Sequence, residues 1–266
     1  MKTLEVHNVG SKTAGHSGRA VQQAVLLKVV RELGGGYSAA LDIDLDSAKS
    51  GEIFKWLLAS VLFGARINEG IAMKTYKEFE KASVLSPEAI WETGWQGLVD
   101  ILDRGGYVRY DFKTATKLLD IAETLVQKYG GDLNRLHFFA QDDRDLEAKL
   151  QNLAGGIGPT TVNIFLRELR DIWEKAESPF SESAFLASKN LGVTQATEAR
   201  VALEELKAIC GAQEEDEVKL YMLESALVKL DKNYCRKNKC PLCPVREECQ
   251  LGMGQRGMGE TVVTKG

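Results

Sequence analysis

Leu153-Ala-Gly-Gly-Ile-Gly-Pro-Thr-Thr-Val-Asn-Ile-Phe-Leu-Arg-Glu-Leu169 lies between two helical patterns, and its reading decides the fold. Gly156-Ile157-Gly158 predicts a tight turn, because bare backbone reaches φ/ψ values closed to other residues. Pro159 follows at the first position of a new helix, where its missing N–H costs nothing. The N–H groups of Thr160, Thr161 and their neighbours then point outward at a helix N-terminus, which suits a phosphate. The alternative is an ordinary helix–helix turn with a glycine cap.

Outward from this turn the chain reads as helix after helix. A helix is predicted from Ser17 or Gly18 to Leu33, stopped by Gly34-Gly35-Gly36. Glu52–Ala65 is nearly all apolar and reads as a helix buried on most sides. Further helices are predicted over Gly70–Lys81, from Ser86-Pro87-Glu88 onward, over a short Gln96–Leu102 segment, and over Asp111–Tyr129. The pattern continues through Asp145–Leu153, Pro159–Glu174, Ser183–Leu191, Thr197–Cys210 and Glu215–Leu230. No strand alternation longer than about four residues interrupts it, so the fold class is all-α. The opening dozen residues read as irregular and Gly252–Gly266 as a loose tail.

Beyond the last helix, Cys235-x4-Cys240-x2-Cys243-x5-Cys249 gathers four of the five cysteines. Without a visible secretory signal, disulfides are not expected, and clustered thiols point to metal. Pro241 and Pro244 beside the central pair prevent one continuous helix, so the loop must wrap around something. Three unequal spacings suit a [4Fe–4S] cube with one sulfur per corner. Zinc is the alternative, although it more often uses two matched C-x2-C arms. Cys210, on an amphipathic helix upstream, reads as a small buried hydrophobe.

The 266 residues are 44% hydrophobic and 27% charged, an ordinary globular composition. The longest apolar run, Trp56–Ala65, is too short to cross a bilayer. A cytoplasmic location, nucleoid-associated in a bacterium or archaeon, and a monomer are expected. The net charge of −4 argues against a strongly basic nucleic-acid binder, yet phosphate contacts need only local basic surface. Arg104, Arg109, Lys113 and Lys117 form one basic group. Lys232, Arg236, Lys237 and Lys239 form a second among the cysteines. Acid concentrates elsewhere, as in Glu214-Glu215-Asp216-Glu217. Surface solubility is the other explanation for the basic groups.

The glycine turn and the cysteines together resemble the helix–hairpin–helix DNA glycosylase superfamily, in its endonuclease III branch, from about Phe54 to Leu251. Gly156-Ile157-Gly158-Pro159-Thr160-Thr161 is similar to that family's G-V-G-x-K-T hairpin. Gly105-Gly106-Tyr107-Val108-Arg109 and Lys113-Ala115 resemble its G-x-Y-x-x-K-A segment. WLLASVLFGARIN resembles its buried helix ending in L-S-A-Q. The cysteines resemble its cluster loop, with the first spacing two residues shorter. The resemblance implies a six-helix lobe over 54–163, ending in the hairpin. It implies a second lobe from 1–53 and 164–251 that holds the cluster loop, with 252–266 as tail. Duplex DNA is expected across the groove between lobes, with the target base flipped out. Gly156, Gly158, Thr160, Thr161, Arg66, Arg109 and Lys237 are the expected DNA contacts. Arg66 stands where the family often has Gln and would fill the gap in the duplex; a solvated charge ending a core helix is the alternative.

Two positions depart from the family. Thr160 replaces the lysine that attacks the sugar in bifunctional members, and a hydroxyl forms no Schiff base. Lysine-dependent strand cleavage is therefore not expected. Ser181 occupies the place of the aspartate that ends the P-V-D segment and stabilises charge on the sugar. Glu182, one residue later, is the candidate substitute, although one residue rotates a side chain by about 100° around a helix. Asp171, Glu174 and Glu177 are further carboxylates, read first as solvated helix charges. The expected activity is base excision by a monofunctional glycosylase. A non-catalytic DNA-structure or lesion binder on the same scaffold is the alternative, and a zinc-stabilised helical interaction module is a third.

Overall fold

The computed structural model describes residues 12–210 and 218–251. The predictions for the first eleven residues, for the acidic run 214–217, for the helix start at 215–217 and for the tail lie outside them. The helices, in chain order, are α1 (Lys12–Leu33), α2 (Ser50–Phe63), α3 (Glu69–Lys81), α4 (Pro87–Gly105), α5 (Asp111–Tyr129) and α6 (Leu133–Phe139). They continue with α7 (Asp143–Gln151), α8 (Pro159–Arg167), α9 (Glu182–Leu191), α10 (Ala199–Cys210) and α11 (Leu220–Leu230). No strand occurs among the described residues. No helix among them is long and apolar enough to cross a membrane.

The chain divides into two compact units, Gly36–Pro179 and the described parts of Met1–Gly35 with Phe180–Gly266. In the first, α2 is the central element. Ile53, Phe54, Trp56, Leu57, Leu58 and Leu62 are all buried, as its apolar run requires. Two polar edges are satisfied on the way. The Trp56 indole N–H donates to the Phe165 carbonyl at 3.0 Å, and the Tyr107 hydroxyl donates to the Leu62 carbonyl at 2.7 Å. These bonds tie α2 to α8 and to the turn after α4, so the burial of two large aromatic rings carries no orphaned donor.

Ser86 caps α4 through its hydroxyl and Pro87 occupies the first turn, as expected. The segment expected as a separate Gln96–Leu102 helix is instead the second half of α4, reached across a kink at Gly94 (φ 66°, ψ 171°). The helix predicted to run from Pro159 to Glu174 ends at Arg167. Its C-cap residue, Glu168, is tied to a distant segment. The carboxylate of Glu168 is buried and accepts the N–H groups of Tyr37 and Ser38, at 2.8 and 3.0 Å, and the Ser38 hydroxyl at 2.6 Å. Capturing the chain at 37–38 draws Leu41, Ile43 and Leu45 into the same core as Leu169 and Trp173. The unit therefore extends on both sides of the 54–163 span. α6 has no counterpart in the prediction: its seven residues bury only Leu133 and Leu136, too few for a period to show.

In the second unit α11 packs against α1 and α9. Leu223, Ala226, Leu227 and Leu230 share a core with Leu26 and Val29 of α1 and with Ala184 and Ala187 of α9. Lys219 precedes α11 in extended conformation, so this helix begins at Leu220.

Candidate functional site

The glycine turn is built as its sequence requires. Gly156 adopts φ +82°, a conformation that side chains rarely tolerate, and Ile157 turns into the core beneath it. Gly158 sits at the N-cap of α8 with Pro159 in the first turn. Thr160 is exposed beside it, while Thr161 is buried. The Thr161 hydroxyl faces Gly64 at the end of α2, where a Cβ would meet it at 2.1 Å. Only the backbone N–H of Thr161 is therefore left for an outward role, whereas Thr160 offers both backbone and hydroxyl. Gly64 fits α2 to α8 at a separation no side chain would permit.

Two further expected DNA contacts belong to this unit. Arg66 is exposed just past the end of α2. Arg109 is exposed, and its guanidinium lies over the Tyr110 ring, 5.4 Å from the centroid. Arg104 leans toward Glu78 at 3.9 Å. Asp171, Glu174 and Glu177 are exposed.

The second unit holds Ser181, Glu182, Lys237 and the cysteines. Ser181 is the N-cap of α9, its hydroxyl accepting the Ala184 N–H at 3.3 Å. Its own N–H donates to Glu224 at 3.1 Å. Glu224 projects from α11 and is wholly buried. A carboxylate thus does reach the backbone at the start of α9, but from a helix that motif spacing had not implicated. The signal was a lone acid inside the apolar run Leu220-Tyr-Met-Leu-Glu-Ser-Ala-Leu227. Glu182 is exposed in the first turn of α9.

After α11 the chain makes a wide helical turn over Asp231–Cys235 and a tight one over Cys240–Leu242. Val245, wholly buried, anchors the loop. The buried Asp231 carboxylate holds Arg236 at 2.5 Å, and Arg236 also donates to the Ser183 hydroxyl at 2.9 Å. Glu248 pairs with Lys28 of α1 at 2.7 Å. Lys237 and Lys239 remain exposed. Cys235, Cys240, Cys243 and Cys249 are half-buried, and none forms a disulfide. Three of them, Cys235, Cys243 and Cys249, pack against the core of this unit. Burial pushes the Cys235 thiol up to about 11; a hydrogen bond involving Asn190 opposes it, and Asp231, Cys243 and Cys249 reinforce it. Burial likewise raises Cys243, again with Cys249 and Cys240 nearby. The four sulfurs therefore lie within electrostatic reach of one another, and thiolates at Cys235 and Cys243 are costly unless a metal compensates them. Soft, half-buried thiols outside any disulfide, in a short pinned loop, have the donor chemistry that iron–sulfur clusters and zinc take. Among the described residues, no group of three or more His, Cys, Asp or Glu side chains converges on a single-ion position. Cys210 is half-buried against the same core.

No family model matches the chain, and no curated protein does. Among solved structures, the chain is similar to a thermostable thymine-DNA glycosylase. The match has a TM-score of 0.51 and 17% sequence identity, and covers 91% of this chain and 99% of the other. At that identity the likeness establishes a shared all-helical fold.

Proposed function

We propose that this chain binds duplex DNA and removes a damaged or mismatched base as a monofunctional glycosylase of the base-excision type. The observation that carries the reading is the glycine turn at Gly156–Gly158, set between α7 and α8 with Pro159 opening α8. Its first-turn N–H groups have no intrahelical partners and favour an anion. Fold likeness to a thymine-DNA glycosylase across nearly the whole chain supports the assignment.

Thr160, Gly156, Gly158 and the backbone of Thr161 would hold one phosphate. Arg66, Arg109 and Lys237 would contribute further DNA contacts. Glu182 is the carboxylate we assign to water activation and to stabilising positive charge on the sugar. Ser181 keeps the helix cap that a family aspartate would otherwise supply. Thr160 has no amine, so the product is an abasic site on an intact strand.

Cys235, Cys240, Cys243 and Cys249 would hold a [4Fe–4S] cluster, zinc being the alternative. When bound, the metal supplies positive charge that stabilises four thiolates and fixes the loop bearing Lys237 and Lys239.

The second reading, a lesion or structure binder without hydrolysis, is favoured by one observation: the N-cap of α9 carries a hydroxyl and not a carboxylate. A panel of duplexes, each with a single modified or mismatched base, separates the two. Abasic sites formed by the wild type and lost in Glu182→Gln support the enzyme. Binding without product from any lesion supports the binder. Excision unchanged in Glu182→Gln shows that another group carries the charge.

A further inference from the structure

Beside the glycine turn, within the Gly36–Pro179 unit, lies an open cavity of about 580 Å³. Its lining includes the rings of Trp95, Tyr110 and Phe112, the amines of Lys113 and Lys117, the carboxylate of Asp120 and the turn glycines Gly155 and Gly156. Two features separate it from an incidental surface dent. The first is aromatic exposure. Trp95 is 39% and Phe112 58% exposed, although each is large enough to be worth burying. They support one another, with ring centroids 5.3 Å apart, and the Trp95 N–H is held by the Thr116 hydroxyl at 3.1 Å. The indole is fixed in place and its N–H satisfied, while much of its surface still meets solvent.

The second feature is charge. Neither Lys113 nor Lys117 makes an ion pair among the described residues. The Lys117 amine lies 3.6 Å from the position of a Cβ on Gly156, so it sits against the turn itself. Burial lowers its affinity for a proton below the usual lysine range. Lys117 is partly desolvated and forms no ion pair, with Asp120 of the same cavity or any other described acid, so a phosphate oxygen would compensate it.

We propose that this cavity receives a single unstacked nucleotide of the bound DNA, its base against Trp95 and Phe112 and its phosphate at Lys113 and Lys117. Fixed aromatic surface beside a free cation is the combination by which proteins hold unpaired bases without reading their sequence. The inference rests on the DNA reading and adds a nucleotide position built wholly within the Gly36–Pro179 unit. It predicts recognition of a base because it is unpaired, whatever its chemical identity.

The test uses the full chain and three probes: a fully paired duplex, the same duplex with one extra unpaired nucleotide, and a single strand. Wild type binds the bulged duplex more tightly than the paired one, by roughly tenfold if one base stacks. Trp95→Ala and Phe112→Ala remove that preference and leave affinity for the paired duplex within about twofold, while Trp95→Phe retains it. Both sites are on the surface, and equal melting temperatures would confirm that the variants fold. Paired-duplex binding with no preference for the bulge overturns the cavity assignment alone. So does a preference that survives both alanine variants. Absence of binding to any probe overturns the DNA reading and this inference with it.

Discussion

The carboxylate of Glu224 in α11 accepts the backbone N–H of Ser181, the cap of α9, at 3.1 Å. Both ends of this contact lie inside one unit, and the carboxylate is wholly buried. Removing it leaves the half-buried Ser181 N–H without its acceptor at the helix start that carries Glu182, and empties a buried site on α11. Glu224→Ala should therefore cost about 2–4 kcal/mol, and Glu224→Gln distinctly less, because the amide oxygen still accepts. Chemical denaturation checks this. Stability of both variants equal to that of the wild type would show that the contact contributes nothing.

The approach of α2 to α8 gives a second expectation. A methyl group on Gly64 would meet the Thr161 hydroxyl at 2.1 Å and the Ser60 carbonyl at 3.1 Å. Thr161 is branched and buried, so it cannot swing away. Gly64→Ala should destabilise the protein by about 1–3 kcal/mol. Adding Thr161→Ala should recover part of the loss, a coupling visible in a double-mutant cycle of melting temperatures.

Acid sensitivity should appear at His137. Its ring stacks on Trp173 with centroids 4.8 Å apart and planes 6° from parallel. Burial, then the nearby Lys175 charge, lowers its pKa, with Glu174 opposing. The folded state thus binds this proton less readily than the unfolded chain does. Stability from the neutral ring is complete above the ordinary imidazole value of about 6.5 and declines as pH falls through the lowered one. His137→Phe keeps a ring on Trp173 and should flatten the fall in melting temperature between pH 7 and pH 5. An identical pH profile would remove His137 from the account.

The cysteines make the sharpest chemical forecast. Protein purified without oxygen should absorb near 400 nm and carry about four irons per chain. Serine at Cys235, Cys240, Cys243 or Cys249 should each abolish or strongly reduce the band, and Cys210→Ser should leave it. A colourless protein with one zinc would assign the loop to the other metal.

The parts of this molecule that were legible in sequence are those fixed by local chemistry. Gly156, Gly158 and Pro159 dictate a turn and a helix start whatever surrounds them. Gly130 ends α5 where expected, in the left-handed conformation. What escaped depends on distant partners. Glu168 looks like one more solvated acid in a helical run, and its buried role is visible only once the chain at Tyr37 and Ser38 is beside it. Glu224 looks like an intrusion in an apolar stripe until Ser181 is beside it. Thr161 and Thr160 are indistinguishable by type; Thr161 shares the buried face of α8 with Val162, Phe165 and Leu166, and Gly64 leaves the room it needs there.

The central claim is that this chain grips duplex DNA through its phosphates. Its most direct test is the affinity for an undamaged duplex measured across a salt series. The account predicts a linear fall of log K with log salt, with a slope that shrinks by about one when Arg109 or Lys237 is replaced by alanine. Affinity that is absent at low salt, or indifferent to salt and to both substitutions, would contradict it.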